Sequence, residues 1–288
     1  MILITGSTGQ LGSATIDFLL QNTPATQIAA LARDTNKATD LIAKGVDVRI
    51  GNYTDHASLV SAFQGVDKLL LISSSDMNDR AGQHINAINA AKEAGVKHMI
   101  YTSAPVKDVK SSAIPFVLEA HIETADYLKA SGLNYTILEH NLYADVLPMF
   151  LGENVLEAGL FFPAGSGKVP YVTRLDMAEA AANVLTGSGH ANKTYAIASG
   201  TSHTFADVAG MLSELSGKTI AYANPSAEVY AAGMTEAGVP AEAIGFLGGF
   251  GAAISNGEFY TEESHLEQLL GRKPTSLQHY LKSVYFPG

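Results

Sequence analysis

Short apolar runs alternate with segments of helical spacing through the first half of the chain. The runs cover residues 1–5, 27–31, 47–51, 68–72, 98–102 and 134–138. Between the first two, Leu11, Ala14, Thr15, Phe18 and Leu19 recur at i, i+3, i+4, i+7 and i+8, which makes one apolar helical face. A helical segment over 83–94 meets Gly95, and another ends at Ser131 before Gly132, as glycine C-caps would end them. Apolar strands alternating with helices predict a parallel sheet covered on both faces. Right-handed crossovers then give a doubly wound, Rossmann-type α/β fold. After Asn141 the alternation weakens, and glycine and proline crowd 159–170. The spacing predicts a helix over 175–185 and a strand over 194–197 that returns to the main sheet. Thr204 and Asp207 resemble a capping box opening a helix that ends near Gly217. The Gly- and Ala-rich stretch 245–257 carries no legible element. The expected organisation is a Rossmann domain over 1–141 and a smaller α/β lobe over 142–288, lying on the carboxyl edge of the sheet.

The chain's 288 residues suffice for such a domain and a lobe. Its 18 basic and 28 acidic side chains leave a formal charge of −10, which disfavours sequence-independent binding of nucleic acid. With no cysteine, disulfides, thiolate metal sites and cysteine nucleophiles are excluded. The nine histidines lack metal-ligand spacing, so no metal is expected. No apolar run approaches the ~20 residues that span a bilayer. The apolar first residues lack a basic flank and run straight into glycines, which reads as a buried strand. A soluble cytoplasmic protein, monomeric or homodimeric, is the expectation.

The turn Gly6-Ser7-Thr8-Gly9-Gln10-Leu11-Gly12 carries the clearest chemistry. Gly6 permits a tight exit from the strand, Gly9 lets backbone approach a pyrophosphate, and Gly12 lets the helix pack closely on the sheet. The helix N-terminus then offers free N–H groups to phosphate oxygens. An ordinary βα turn can also be glycine-rich, but this one follows a strand and opens a helix at the head of an alternating chain. After the second strand, an NAD site usually places an acid to bond the ribose 2′-hydroxyl. Here Leu31-Ala32-Arg33 stands instead, and a guanidinium there can pair bidentately with a 2′-phosphate. Lys37 adds charge nearby. The alternative is a solvated surface arginine; with no acid before it, the pattern favours NADP(H).

Together these residues resemble the NmrA-like atypical short-chain dehydrogenases, closest to their type-2 NADPH:quinone oxidoreductase and triphenylmethane reductase branch. The resemblance extends through Leu71-Ile72-Ser73-Ser74-Ser75, Gln83-His84, Ala94-Gly95-Val96-Lys97, Tyr101-Thr102-Ser103, His121-Ile122-Glu123-Thr124, Ser131-Gly132-Leu133, Gly165-Ser166-Gly167-Lys168 and Thr173-Arg174-Leu175-Asp176. It implies that Gly6, Thr8, Gly9, Gln10 and Leu11, in the turn completed by Ser7 and Gly12, contact the pyrophosphate. It implies Arg33 at the 2′-phosphate and Asn52 and Tyr53 near the adenine, with Asn52 where relatives carry Asp. Ser73, Ser74 and Ser75 would line the path to the nicotinamide ribose, and Tyr101, Thr102 and Ser103 would stand near the nicotinamide.

The Tyr-x-x-x-Lys dyad of many short-chain dehydrogenases is missing. By this resemblance Val117 and His121 hold its two places, which disfavours alcohol dehydrogenation. A quinone-like acceptor asks less of the protein, because it takes hydride directly and can gain protons from water. Relatives read Leu-Arg-Asn after the sixth strand; this chain reads Leu138-Glu139-His140-Asn141-Leu142-Tyr143. His140 is a candidate proton donor near neutral pH, or a polar wall residue, with Tyr143 facing the same pocket. Arg174 and Asp176 are expected to pair at a helix start. The implied activity is hydride transfer from NADPH to a quinone or similar conjugated acceptor. The alternative is a cofactor-sensing regulator that acts through a partner protein.

Overall fold

The computed structural model describes residues 1–287; Gly288 lies outside the described residues. Among these residues the strands are β1 (Ile2–Ile4), β2 (Ile28–Ala32), β3 (Asp47–Ile50), β4 (Lys68–Leu71), β5 (His98–Ser103), β6 (Asn134–His140), β7 (Leu160–Phe161), β8 (Lys193–Ile197) and β9 (Tyr222–Ala223). The helices are α1 (Gln10–Leu20), α2 (Thr39–Ala43), α3 (His56–Phe63), α4 (Arg80–Glu93), α5 (Pro115–Ala130), α6 (Leu147–Leu151) and α7 (Val155–Ala158). They continue with α8 (Arg174–Thr186), α9 (Phe205–Ser216), α10 (Ala227–Glu236), α11 (Ala241–Ser255), α12 (Leu266–Leu270) and α13 (Leu277–Tyr285).

Seven strands form one sheet in the order β3-β2-β1-β4-β5-β6-β8, every pairing parallel. The order reverses between β1 and β4, which creates the crevice where such sheets bind ligands. This is the doubly wound Rossmann-type fold that the alternation predicts. Both faces are apolar because successive strand residues face opposite ways. Ile4, Leu70 and Ile100 join a core with Ile16 of α1, Met177 of α8 and Leu266 of α12. Leu3, Leu69 and Met99 join another with Leu59 of α3, Ile88 of α4 and Leu128 of α5. A third core holds Phe150, Phe162, Phe205, Tyr230, Phe250 and Leu281.

Residues after 141 therefore divide between two bodies. The segment containing α8 and β8, together with α12, builds on the sheet, while α6, α9, α11 and α13 enclose the third core. Thr204 and Asp207 do form a capping box, and Gly217, at φ +69°, ends α9. Residues 245–257, unassigned above, fold mostly into α11. A Cβ on Gly251 would meet Pro163 Cγ at 2.8 Å, so the missing side chain admits a neighbouring loop.

Arg174 and Asp176 do not pair with each other, which corrects the sequence expectation. Arg174 Nη1 lies 3.0 Å from Asp145 Oδ1. Asp176 is fully buried and accepts from Arg272 Nη2 at 2.7 Å and from the Thr275 backbone N–H at 2.7 Å. Two residues apart on a helix, their side chains diverge.

Candidate cofactor pocket and active site

β1 delivers the chain into the glycine turn at the switch point. Gly6 takes φ +57°, and a Cβ there would press on Ile72 Cβ at 3.3 Å. A Cβ on Gly12 would lie 2.4 Å from the Gly6 carbonyl oxygen, so only glycine lets α1 start this close to the turn. The Gly9 N–H donates to the Gly6 carbonyl at 3.0 Å. α1 has no side-chain cap and no acid in its first turn, which leaves its first N–H groups open to an anion. Ser7 and Leu11 serve the turn from inside. Ser7 Oγ donates to the Leu31 carbonyl at 2.7 Å, and Leu11 packs in the core. Gln10 Oε1 instead accepts from Arg174 Nη1.

A cavity of about 580 Å³ opens over this turn, within the usual size of small-molecule sites. Its walls are Gly6, Thr8 and Gly9 from the turn, 31–33 from the end of β2, 51–54 after β3, and 72–76 after β4, with Gln83 of α4. Arg33, Asn52, Tyr53, Ser73, Ser74 and Ser75 thus share one pocket. Arg33 is exposed and makes no ion pair among the described residues. Lys37 is exposed and stands outside the lining. Asn52 shapes its own loop by accepting from the Thr54 N–H at 3.3 Å. The uncapped helix start, the Gly12 contact and the unpaired Arg33 at the rim fit a phosphorylated dinucleotide.

The loop after β4 is pinned residue by residue from other elements. The Ile72 N–H donates to Thr5 Oγ1 at 2.9 Å, and Tyr53 Oη donates to the Ile72 carbonyl at 2.9 Å. The Ser73 N–H donates to Thr102 Oγ1 at 3.0 Å. The Ser74 N–H donates to His84 Nε2 at 2.8 Å, and Ser74 Oγ donates to Gln83 Oε1 at 2.7 Å. Because a backbone N–H can only donate, His84 Nε2 carries no proton, and Nδ1–H donates to Thr124 Oγ1 at 2.8 Å. Sequence reasoning gave His84 no role. Its buried place one turn before Ala87 and Ile88 was a readable signal, but its partners are not local.

Tyr101, Thr102 and Ser103 are buried and do not line the cavity. Tyr101 Oη lies 2.9 Å from His121 Nδ1, so a tyrosine from β5 stands beside the histidine that holds the family's lysine place. Burial pushes the Tyr101 phenol up to about 12. His140 ends β6, with Nδ1 3.1 Å from Tyr143 Oη and Nε2 buried without a partner. The Arg174 guanidinium lies 5.2 Å over the Tyr143 ring. Burial drives the His140 imidazole down to about 3, with the charge of His121 adding to the effect. This shift favours the uncharged imidazole near neutral pH and so supports the polar-wall alternative for His140. His84 is held near 3 and His121 near 4, again chiefly by burial. Glu139 alternates to the other side of β6, where burial raises its carboxyl and Lys129 opposes the rise. Among the described residues no group of three or more His, Asp or Glu could hold a metal ion.

The chain belongs to the NAD(P)H-binding family, whose pattern matches residues 6–187. It is 40% identical to quinone oxidoreductase 2 of Escherichia coli (strain K12) over 286 residues, 99% of each chain. It is 30% identical to the NAD(P)H azoreductase of Xenophilus azovorans, over 83% of this chain and 82% of that one. The crystal structure of the Escherichia coli NADPH-dependent quinone oxidoreductase complexed with NADPH matches with a TM-score of 0.92, at 38% identity over 99% and 100% of the two chains. Citrobacter sp. triphenylmethane reductase complexed with NADP(H) matches at 0.91, with 38% identity over 98% and 99%.

Proposed function

We propose that this protein is an NADPH-dependent oxidoreductase that passes hydride to a quinone or a similar flat, conjugated acceptor. The start of α1 would hold the pyrophosphate, Arg33 the 2′-phosphate, 51–54 the adenine and 73–75 the nicotinamide ribose. Bound in this way, the reduced cofactor supplies hydride. The full-length likeness to a quinone oxidoreductase and a triphenylmethane reductase supports the acceptor class.

One observation carries the reading of the chemistry. At the carboxyl ends of β4, β5 and β6 the imidazoles of His84, His121 and His140 are held uncharged, and the phenols of Tyr101 and Tyr143 are pushed up to about 12. None of these groups titrates near neutral pH, as an efficient general acid or base would. Such a site suits an acceptor that needs proximity and orientation, with protons drawn from water. The test is NADPH oxidation over a panel of quinones. Turnover well above the uncatalysed rate supports the proposal. Tight NADPH binding without turnover of any quinone defeats it and favours cofactor sensing.

A further inference from the structure

Arg80 opens α4, four residues beyond the cavity wall at Asp76. Its guanidinium has five donors and little to give them to. Nη2 rests on the Met77 sulfur at 2.8 Å, and Nη1 makes a long 3.4 Å contact with the Val117 carbonyl. Nε is buried with no partner. Among the described residues Arg80 makes no ion pair; Asp76 instead accepts from Gln83 Nε2 at 2.7 Å and from the Asn78 N–H at 2.8 Å. A half-buried guanidinium left this unsatisfied is costly unless something else completes it.

Its place indicates what that something is. Arg33 and 51–54 mark the adenosine end of the cavity on β2 and β3, and Ser73–Ser75 continue past the switch point onto β4. Arg80 follows on the chain at the start of α4, next to this wall but outside the lining residues themselves. Its positive charge acts on His84 and His121 beside the carboxyl end of β5. Exposed apolar side chains flank it: Met77 touches it, and Phe116 precedes Val117 and lies 6.3 Å, ring to ring, from the exposed Phe246. Apolar surface beside a guanidinium whose N–H donors meet only a sulfur and one long carbonyl contact suits a planar ring carrying an oxygen.

We propose that Arg80 binds the acceptor oxygen that becomes negative on reduction, and so selects quinones over cationic acceptors. This rests on the hydride-transfer reading above. In that reaction a C–H bond of the reduced cofactor breaks and its electron pair forms the new bond to the acceptor. A neutral quinone becomes a hydroquinone monoanion, which later takes one proton from water, and the cofactor is left oxidised. A fixed positive charge favours the transition state for that change. A cationic triphenylmethane dye loses its charge in the same step, so the guanidinium opposes its binding instead.

The test uses the full chain loaded with NADP⁺ and two ligands of one shape. These are neutral 1,4-naphthoquinone and 2-hydroxy-1,4-naphthoquinone, which is an anion at neutral pH. Wild type should bind the anion roughly tenfold or more tightly, since hydrogen bonds to charged groups are worth at least that. Arg80→Met should erase the preference, and Arg80→Lys should restore part of it. With NADPH, Arg80→Met should lower quinone turnover roughly ten- to hundredfold while malachite green becomes a tighter competitor. Equal binding of the two naphthoquinones by wild type overturns the proposal, whatever the variants do. So does a loss in Arg80→Met that is the same for quinone, anion, dye and NADPH, which marks a structural residue. An anion preference that depends on Arg80, in a protein that reduces no quinone, defeats the functional reading and leaves the oxyanion site standing.

Discussion

Lowering the pH from 7.5 to 5 should strip this fold of much of its stability, through three imidazoles. His84, His121 and His140 are buried in the native state and bind a proton only near pH 3, 4 and 3. In the unfolded chain each binds one near pH 6.5. Their folded values are depressed, so the stability they confer is complete above pH 6.5. It is lost as the pH falls below that value, and the loss levels off only at the folded values. At pH 5 the unfolded state gains roughly 2 kcal/mol from each, about 6 kcal/mol together, against a typical total of about 5–15 kcal/mol. Between pH 6 and 5 most carboxylates in either state remain ionised. The exposed His56, raised by its bond to Glu93, opposes the trend only above this window. Urea unfolding at half-unit steps from pH 7.5 to 5 measures the slope. The unfolded state should take up at least two more protons than the native state near pH 5.5, because burial also lowers His98, His190 and His203, which act in the same direction. His84→Gln should lower that number by about one. An uptake of less than one proton would refute the buried-neutral assignment.

Further outcomes follow from particular contacts. Arg33→Leu should weaken NADPH roughly ten- to hundredfold, the worth of a charge-assisted pair, while NADH binding hardly changes; titration with both cofactors reads this directly. Gly12→Ala forces a methyl group against the Gly6 carbonyl oxygen, so it should destabilise the fold by about 1–3 kcal/mol in urea and impair NADPH binding with it. Asp176→Ala leaves the Thr275 N–H without its buried acceptor, while the half-exposed Arg272 keeps its pairing with Glu179. It should cost about 1–3 kcal/mol in urea unfolding and leave the NADPH dissociation constant of the folded fraction unaltered.

What could be read from the chain was what its neighbours in sequence determine. The turn from Gly6 to Gly12 and the position of Arg33 are consequences of one strand, one turn and one helix. Both fell where the pattern put them, and Arg33 shares a cavity with Asn52, Tyr53 and Ser73–Ser75. Tyr101 shows where the pattern stops. In a strand covered on both faces every residue is apolar or buried, so alternation gives no sign of which side chain meets the ligand. His84 and Arg80 were silent because their partners come from the loop after β4 and from α5, which only the fold brings together. Residues 245–257 were illegible for a different reason. Glycine weakens every local helix signal, and α11 is held by what the glycines let in, such as Pro163 against Gly251.

The central claim is that the pocket marked by Arg33 binds NADPH and that hydride leaves it for a quinone. The most direct measurement is the rate of cofactor oxidation with 1,4-naphthoquinone, run in parallel with NADPH and NADH. Turnover with the quinone is expected, with a kcat/KM for NADPH at least tenfold above that for NADH. Equal use of the two cofactors, or no oxidation above the uncatalysed rate with either, would contradict it.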